Sequence, residues 1–275
     1  MNTIAVSVII STYNNPLWLQ KVLWSYDVQT FKDFEVVIAD DGSNDETKKL
    51  IEQIKKEVKY PIQHIWHEDN GFQKTIILNK ATVAAKADYL LYTDGDCVAR
   101  QDFIEAHIKH KEQGFFLSGG YFKLPMTISK LITKADIDSQ NCFDISWLKK
   151  HGLGSTFKNN KLTSKGLKAK LLNTFTPTTA TWNGHNASGF KADILRVNGY
   201  DERMQYGGED RELGERLFNL KIKAKQLRYS AICVHLDHER GYVKPEMIEK
   251  NLKIRATTKG EKRVWTNFGI VKNSL

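Results

Sequence analysis

Four short apolar runs in the first hundred residues limit the fold more than any other feature. They are Ala5-Val6-Ser7-Val8-Ile9-Ile10, Phe34-Glu35-Val36-Val37-Ile38-Ala39, Pro61-Ile62-Gln63-His64-Ile65-Trp66 and Tyr89-Leu90-Leu91-Tyr92. Their length and β-branched content suit buried strands. Helical patterns fill the gaps. Pro16 opens one that carries Leu17, Leu19, Val22, Leu23 and Tyr26. Ser43 or Asn44 can cap the next, with Asp45 and Glu46 in its first turn and Leu50, Ile51, Ile54 and Val58 on its inner face. Ile76, Leu78, Ala81 and Val83 mark a third over 75–87. The β-α-β-α-β-α-β alternation predicts a parallel sheet covered by helices. Ligands of such sheets bind beyond the C-terminal strand ends. The polar segments Ser11–Asn14, Asp40-Asp41 and Asp94–Asp96 all follow strands, so they should meet on one edge.

Asp94-Gly95-Asp96 is the most pointed of these ends. Two carboxylates one residue apart, delivered by a buried strand, can hold a divalent cation and through it a phosphate. Asp-Gly-Asp is also an ordinary turn, so its meaning depends on its company.

The rest of the chain is less regular. A helix is expected over 101–113 and a strand at Phe115–Ser118, then short helices near 128–134 and 144–150 and a mobile lysine-rich loop near 155–175. Trp182 to Phe190 reads as a loop entering a short strand, followed by a helix at Lys191–Val197. Gly207-Gly208-Glu209-Asp210 opens an amphipathic helix through Leu213, Leu217 and Leu220. A last strand is expected at Tyr229–His235, then a basic tail from Gly241 with a helix at Pro245–Ala256 before it loosens.

Composition excludes several classes. No apolar run reaches the ~18 residues of a membrane span. The N-terminus has no basic region ahead of its apolar stretch, which argues against a secretory signal. Cys97, Cys142 and Cys233 give neither a disulfide framework nor a zinc pattern and fit a reducing, cytoplasmic setting. The net charge is +9, and residues 121–180 hold ten lysines, no arginine and three aspartates. Such an excess attracts a nucleotide, a nucleic acid or an anionic membrane. Aromatic and basic residues are not interleaved as nucleic-acid binding would require, so a non-catalytic basic binding module is the weaker reading. A peripheral contact with the inner face of an anionic membrane, through the lysine-rich stretch or the basic tail, is expected.

Four segments together resemble family 2 glycosyltransferases of the GT-A fold: Val6 to Asn14, Val37-Ile38-Ala39-Asp40-Asp41-Gly42-Ser43, Thr93-Asp94-Gly95-Asp96 and Gly207-Gly208-Glu209-Asp210. Asn183–Asp201 with Gly207–Asp210 and His235 also resembles the C-terminal half of chondroitin-polymerase-type transferases and galactosyltransferases. The resemblance implies an α/β/α sandwich with a mixed, mainly parallel sheet. It implies a single domain over 1–240, with a donor half (1–98) and an acceptor half (99–240), then a basic extension over 241–275. It further implies transfer of a sugar from a nucleotide-diphosphate donor, UDP first among them, with inversion. The acceptor would be a glycan or lipid-linked hydroxyl in bacterial surface polysaccharide synthesis. A nucleotidyltransferase could share the strand-end acids, but Ser11–Asn15 lacks the glycines of a phosphate loop.

Roles follow from the resemblance and from the chemistry it requires. Asp96 is the expected metal ligand and His235 a further one, with His238 as alternative. An imidazole among oxygen ligands favours Mn2+ over Mg2+. Asp94 turns towards the nucleoside. Asp210 is the expected general base, because an inverting displacement needs one carboxylate to take the acceptor proton, and Glu209 orients the acceptor. Asp41 is placed on the base, Asp40 near the nucleoside, and Ser11 and Tyr13 in the same pocket, with Tyr13 packing on the base ring. Many relatives carry Ala-Arg-Asn after the third strand. Here the stretch reads Gln73-Lys74-Thr75-Ile76-Ile77-Leu78-Asn79-Lys80, so Lys74 or Lys80 replaces the arginine. Trp182 and Asn186 are expected to shape the acceptor or sugar site. Gly207 and Gly208 suit a loop whose backbone comes close to substrate.

Overall fold

The computed structural model describes residues 4–239, 241 and 243–272. The expected alternation is present: β1 (Val6–Thr12), α1 (Pro16–Asp27), β2 (Phe34–Asp40), α2 (Asp45–Glu57), β3 (Ile62–Trp66), α3 (Lys74–Ala84) and β4 (Tyr89–Asp94). β1 lies between β2 and β4, parallel to both, and β3 extends the parallel set beyond β2. Asn44 settles the cap of α2, its side chain accepting from the Glu46 amide at 3.1 Å.

Then come β5 (Cys97–Ala99), α4 (Phe103–His110), β6 (Phe115–Lys123), α5 (Met126–Leu131), α6 (Lys134–Asp138), α7 (Ile145–Lys150), α8 (Asn160–Thr163) and α9 (Gly166–Phe175). β7 (Ala187–Phe190), α10 (Lys191–Arg196), α11 (Glu209–Asn219), β8 (Lys223–His235) and α12 (Pro245–Gly260) complete the chain. The sheet order is β3-β2-β1-β4-β7-β6-β8-β5. β7 is antiparallel to both β4 and β6, so it joins the parallel first half to the second. The result is the mixed, mainly parallel sheet expected.

Alternating strand residues feed two cores. Val6, Val8, Ile10 and Leu91 pack with Leu19, Val22 and Leu23 of α1 on one face. Ile9, Val37, Leu90 and Tyr92 pack with Ile77 and Leu78 of α3, Leu213 and Leu217 of α11, and Trp182 on the other. Each such buried aliphatic side chain contributes about 1.5–3 kcal/mol.

Three expectations are corrected. The 155–175 stretch is not a mobile loop but a 3-10 turn followed by α8 and α9. Leucine, alanine and lysine are good helix formers, and Ala169 and Asn173 fix α9 to β8 through burial and hydrogen bonds to Tyr229 and Ser230. The last strand begins at Lys223, where Lys223 to Leu227 pair with Phe115 to Gly119 of β6. The C-terminal region does not loosen after α12. The Ile270 amide donates to Asn198, the Arg203 guanidinium lies 3.8 Å from the centre of the Phe268 ring, and Thr266 donates to Asp201.

Candidate active site

A cavity of about 960 Å3 opens beyond the C-terminal ends of β1 and β4, walled on the far side by the start of α11 and the end of β8. Its floor is set by strand register. Ser11 of β1 lies opposite Asp94 of β4, and its hydroxyl donates to Asp94 Oδ1 at 2.7 Å. The Gly95 amide donates to the Ser11 carbonyl at 2.7 Å. A Cβ on Gly95 would come to 3.0 Å from that carbonyl and 3.1 Å from Thr12 Oγ1, so a side chain in the turn between the two acids would press on β1.

Lys74, at the first turn of α3, completes the floor with Nζ 2.8 Å from Asp94 Oδ1. Burial alone would raise the Asp94 carboxyl. The Lys74 charge and the hydrogen bonds from Lys74 and Ser11 outweigh it and hold Asp94 well below the usual carboxylate range. Burial would equally lower the Lys74 ammonium, but Asp94, Asp210 and Glu209 hold it well above its ordinary value. The pair is therefore ionised at any physiological pH.

Asp210, at the start of α11, faces the same lysine under opposite conditions. Its Oδ1 is buried without a hydrogen-bond partner among the described residues. Burial, then the charges of Glu209 and Asp94, push its carboxyl up to about 7 against the pull of Lys74. The Gly184 backbone bonds this carboxylate, and a Cβ on Gly184 would lie 2.7 Å from Asp210 Oδ2. Glu209 turns back on its own loop, accepting from the Gly207 amide at 2.9 Å.

The third group lies where β5 and β8 pair, Cys97 opposite His235. That register sets His235 beside Asp96, with Nε2 3.6 Å from Asp96 Oδ2, and His238 Nε2 lies 2.9 Å from the same oxygen. Donor atoms of Asp96, Cys97 and His235 fall within 4.8 Å of one another. Burial, with the neighbouring Cys233 adding to it, pushes the Cys97 thiol well above its ordinary value, so it is a poor thiolate ligand. His235 Nδ1 is buried without a partner among the described residues. An oxygen-and-imidazole set with an unsatisfied ring nitrogen fits a divalent cation, with Asp96 and His235 as ligands and His238 within reach.

The sequence matches known families in the order these groups occur. Residues 7–123 match the model of glycosyl transferase family 2, and residues 177–239 that of the N-terminal domain of galactosyltransferase. Over residues 7–123 the chain is similar to family 2 glycosyltransferases. A validoxylamine A glucosyltransferase of Streptomyces hygroscopicus subsp. jinggangensis is 27% identical over 224 residues, covering 77% of this chain and 51% of the relative. The chain spans about half the length, or less, of the first curated relatives it matches. Among solved structures, Staphylococcus aureus TarS 1-349 in complex with UDP-GlcNAc superimposes with a TM-score of 0.61 at 18% identity, over 94% of this chain and 69% of that one. The mannosyltransferase PcManGT from Pyrobaculum calidifontis, in complex with GDP-Man and Mn2+, gives 0.56 at 18% identity, over 94% and 62%. The fold is GT-A.

Within this GT-A fold the structure gathers Ser11, Tyr13, Asp41, Lys74, Asp94, Asp96, Glu209, Asp210 and His235 around one cavity. Tyr13 is half-exposed, donates to Asp69 Oδ2 at 2.9 Å, and has its phenol raised by that bond. Asp41 accepts from the Gln73 amide and pairs with His67 at 2.8 Å, while burial raises its carboxyl. Lys74 lines the cavity; Lys80 is exposed and turns to His67.

The remaining expected residues lie elsewhere. Asp40 is fully buried, with its oxygens committed to the Ser43 amide and His64, so it shapes the turn rather than touching a ligand. Trp182 is fully buried against Tyr92 and Phe116, with Nε1 donating to Tyr200. Asn186 is fully buried and bridges the Gly120 and Ala231 carbonyls and His107. Both support the wall behind the site and contact no ligand space. Gly207 and Gly208 adopt φ of +108° and +93°, and their close approach is to Ile248 and Arg255 of α12. The sequence reading missed His185 and Tyr121. Both line the cavity, with ring centres 4.6 Å apart, and burial pushes the His185 imidazole down to about 4, keeping it neutral. His185 stood inside the Trp182–Phe190 segment already singled out. Tyr121 carried no local signal.

Proposed function

We propose that the chain is an inverting, metal-dependent glycosyltransferase that moves a sugar from a nucleotide-diphosphate donor, UDP-linked first among candidates, to an acceptor hydroxyl. The observation that carries this reading is Asp210: a half-buried carboxyl whose buried Oδ1 has no hydrogen-bond partner among the described residues, pushed up to about 7, on the wall of the cavity that also holds Asp94 and Lys74. A general base poised near operating pH is what proton removal from a sugar hydroxyl requires.

Roles divide across the cavity, with residues 1–98 serving the donor and 99–240 the acceptor. Tyr13 and Asp41 receive the base, and Ser11 and Asp94 face the nucleoside. Lys74 stands where its charge can meet the diphosphate. Asp210 takes the acceptor proton as the hydroxyl oxygen attacks the anomeric carbon from the face opposite the diphosphate. The bond from that carbon to the diphosphate oxygen breaks, and its electron pair leaves with the nucleoside diphosphate. A divalent cation on Asp96 and His235, Mn2+ rather than Mg2+, would offset charge on that leaving group. Glu209 orients the acceptor. A glycan or lipid-linked acceptor, at the cytoplasmic face of a bacterial membrane in surface polysaccharide synthesis, fits the family and the basic surplus.

Incubating purified protein with Mn2+ and a panel of UDP-sugars tests this. Release of nucleoside diphosphate from one donor is expected; release of sugar 1-phosphate would instead mean nucleotidyl transfer.

A further inference from the structure

The lysine-rich segment has a feature that its composition alone did not reveal. α9 is fixed to β8 by one side, through buried Ala169 and the Asn173 hydrogen bonds to Tyr229 and Ser230. At 3.6 residues per turn, the opposite side carries Leu167, Leu171 and Phe175. These are 72%, 48% and 77% exposed, and Phe157, just upstream, is 71% exposed. Apolar side chains spaced by four along one outer helix face are not scattered surface residues; they form a stripe that meets something.

Charge identifies the occupant. Lys168 and Lys170 project to either side of the stripe and Lys165 precedes it, all exposed. Residues 145–192 contain eight lysines and neither an aspartate nor a glutamate. An apolar ridge flanked on both sides by long basic side chains matches the boundary between acyl chains and anionic headgroups: leucines and phenylalanine enter the apolar layer while lysines reach back to phosphates. A purely protein partner would have no need of uniform positive charge over so long a stretch.

We propose that α9 is an interfacial helix that docks this protein on an anionic lipid bilayer. It deepens the membrane setting given above, and it also has a consequence for the site. α8, next to α9, sends Lys161 to the Tyr121 carbonyl at 2.8 Å, and the Tyr121 ring lines the catalytic cavity. Docking would thus hold the acceptor side of the cavity near the membrane, where a lipid-linked acceptor is presented.

Co-sedimentation of the full chain with vesicles tests the proposal. Binding to phosphatidylcholine vesicles containing a third phosphatidylglycerol, falling with salt, is expected, with little binding to phosphatidylcholine alone. The triple variant Leu167→Ser, Leu171→Ser, Phe175→Ser should lower the partition coefficient at least ~tenfold, and Lys165→Gln with Lys168→Gln and Lys170→Gln should remove most of the salt dependence. Both variants change exposed side chains, and unchanged thermal melts would show that they fold. Equal binding to both vesicle types, or unaltered binding by the triple variant, would overturn the proposal. So would a wild-type dimer that the triple variant dissociates, without lipid binding. Donor hydrolysis in solution should be unchanged in the triple variant; if no form hydrolyses any donor, the transferase reading fails and the lipid result still stands.

Discussion

Asp94 and Asp210 are two half-buried carboxylates that face one lysine and have opposite acidities. Asp94 has Lys74 at 2.8 Å and Ser11 at 2.7 Å and is held ionised. Asp210 has an oxygen with no partner among the described residues and a carboxyl pushed up to about 7. Burial acts on both in the same direction, so the contrast comes from partners. At the strand ends Ser11 and Lys74 pair with Asp94. At the start of α11 one acid keeps an oxygen without a partner among the described residues, and an unsatisfied acid can accept a proton.

The largest break in this contrast is Asp210→Asn. Transfer should fall by about 10²–10⁴-fold while nucleotide affinity by calorimetry stays within twofold or so, because the amide keeps the shape and loses the base. Transfer at the wild-type rate would assign the base elsewhere. Next is Asp96→Ala, which should abolish the Mn2+-dependent part of nucleotide binding, roughly tenfold or more. Equal affinities with and without chelator in the wild type would remove the metal from the account. Lys74→Met should reverse the donor side. It leaves the half-buried Asp94 without its ion-pair partner, costs about 1–2 kcal/mol in a denaturant titration, and moves the acid limb of transfer to higher pH, since Lys74 restrains the Asp210 carboxyl.

The same contrast predicts opposite pH dependences of stability. Asp210 binds its proton more tightly folded than unfolded, so between pH 4 and 7 the folded state holds more protons and stability falls as pH rises. Asp94 is depressed, so its contribution is present above the ordinary carboxylate range and lost as pH falls through it. Asp210→Asn should therefore raise the melting temperature at pH 8 and leave it nearly unchanged at pH 4. The smallest effect is expected from Gly184→Ala, whose methyl would press on Asp210 Oδ2. Transfer should drop about tenfold with little change in melting temperature.

The donor side was legible in the sequence and the acceptor side only in part, for physical reasons. β1, β2 and β4 are buried on both faces and so read as continuous apolar runs, and their polar ends converge by register alone. Asp40 was misplaced because Asp40 and Asp41 are adjacent in a turn, and only the tertiary fold decides which one points inward. β8 was read short because Lys223, Lys225, Gln226 and Arg228 interrupt its first half with polar side chains, and there pairing with β6 rather than apolarity makes the strand. α9 was read as a loop because its inner face is held by Ala169 and Asn173, too small and too polar to register as an apolar stripe. Trp182 and Asn186 lie in a segment that does build the site, yet they hold its back wall; their neighbour His185 lines the cavity and the Gly184 backbone holds Asp210.

The central claim is that Asp210 is the base, and its acidity allows a direct measurement. Single-turnover transfer by the wild-type protein at saturating donor and acceptor, from pH 5 to 9, should show an acid limb falling tenfold per unit below about pH 7, with nucleotide affinity level over that limb. A transfer rate flat from pH 5 to 8 would contradict it.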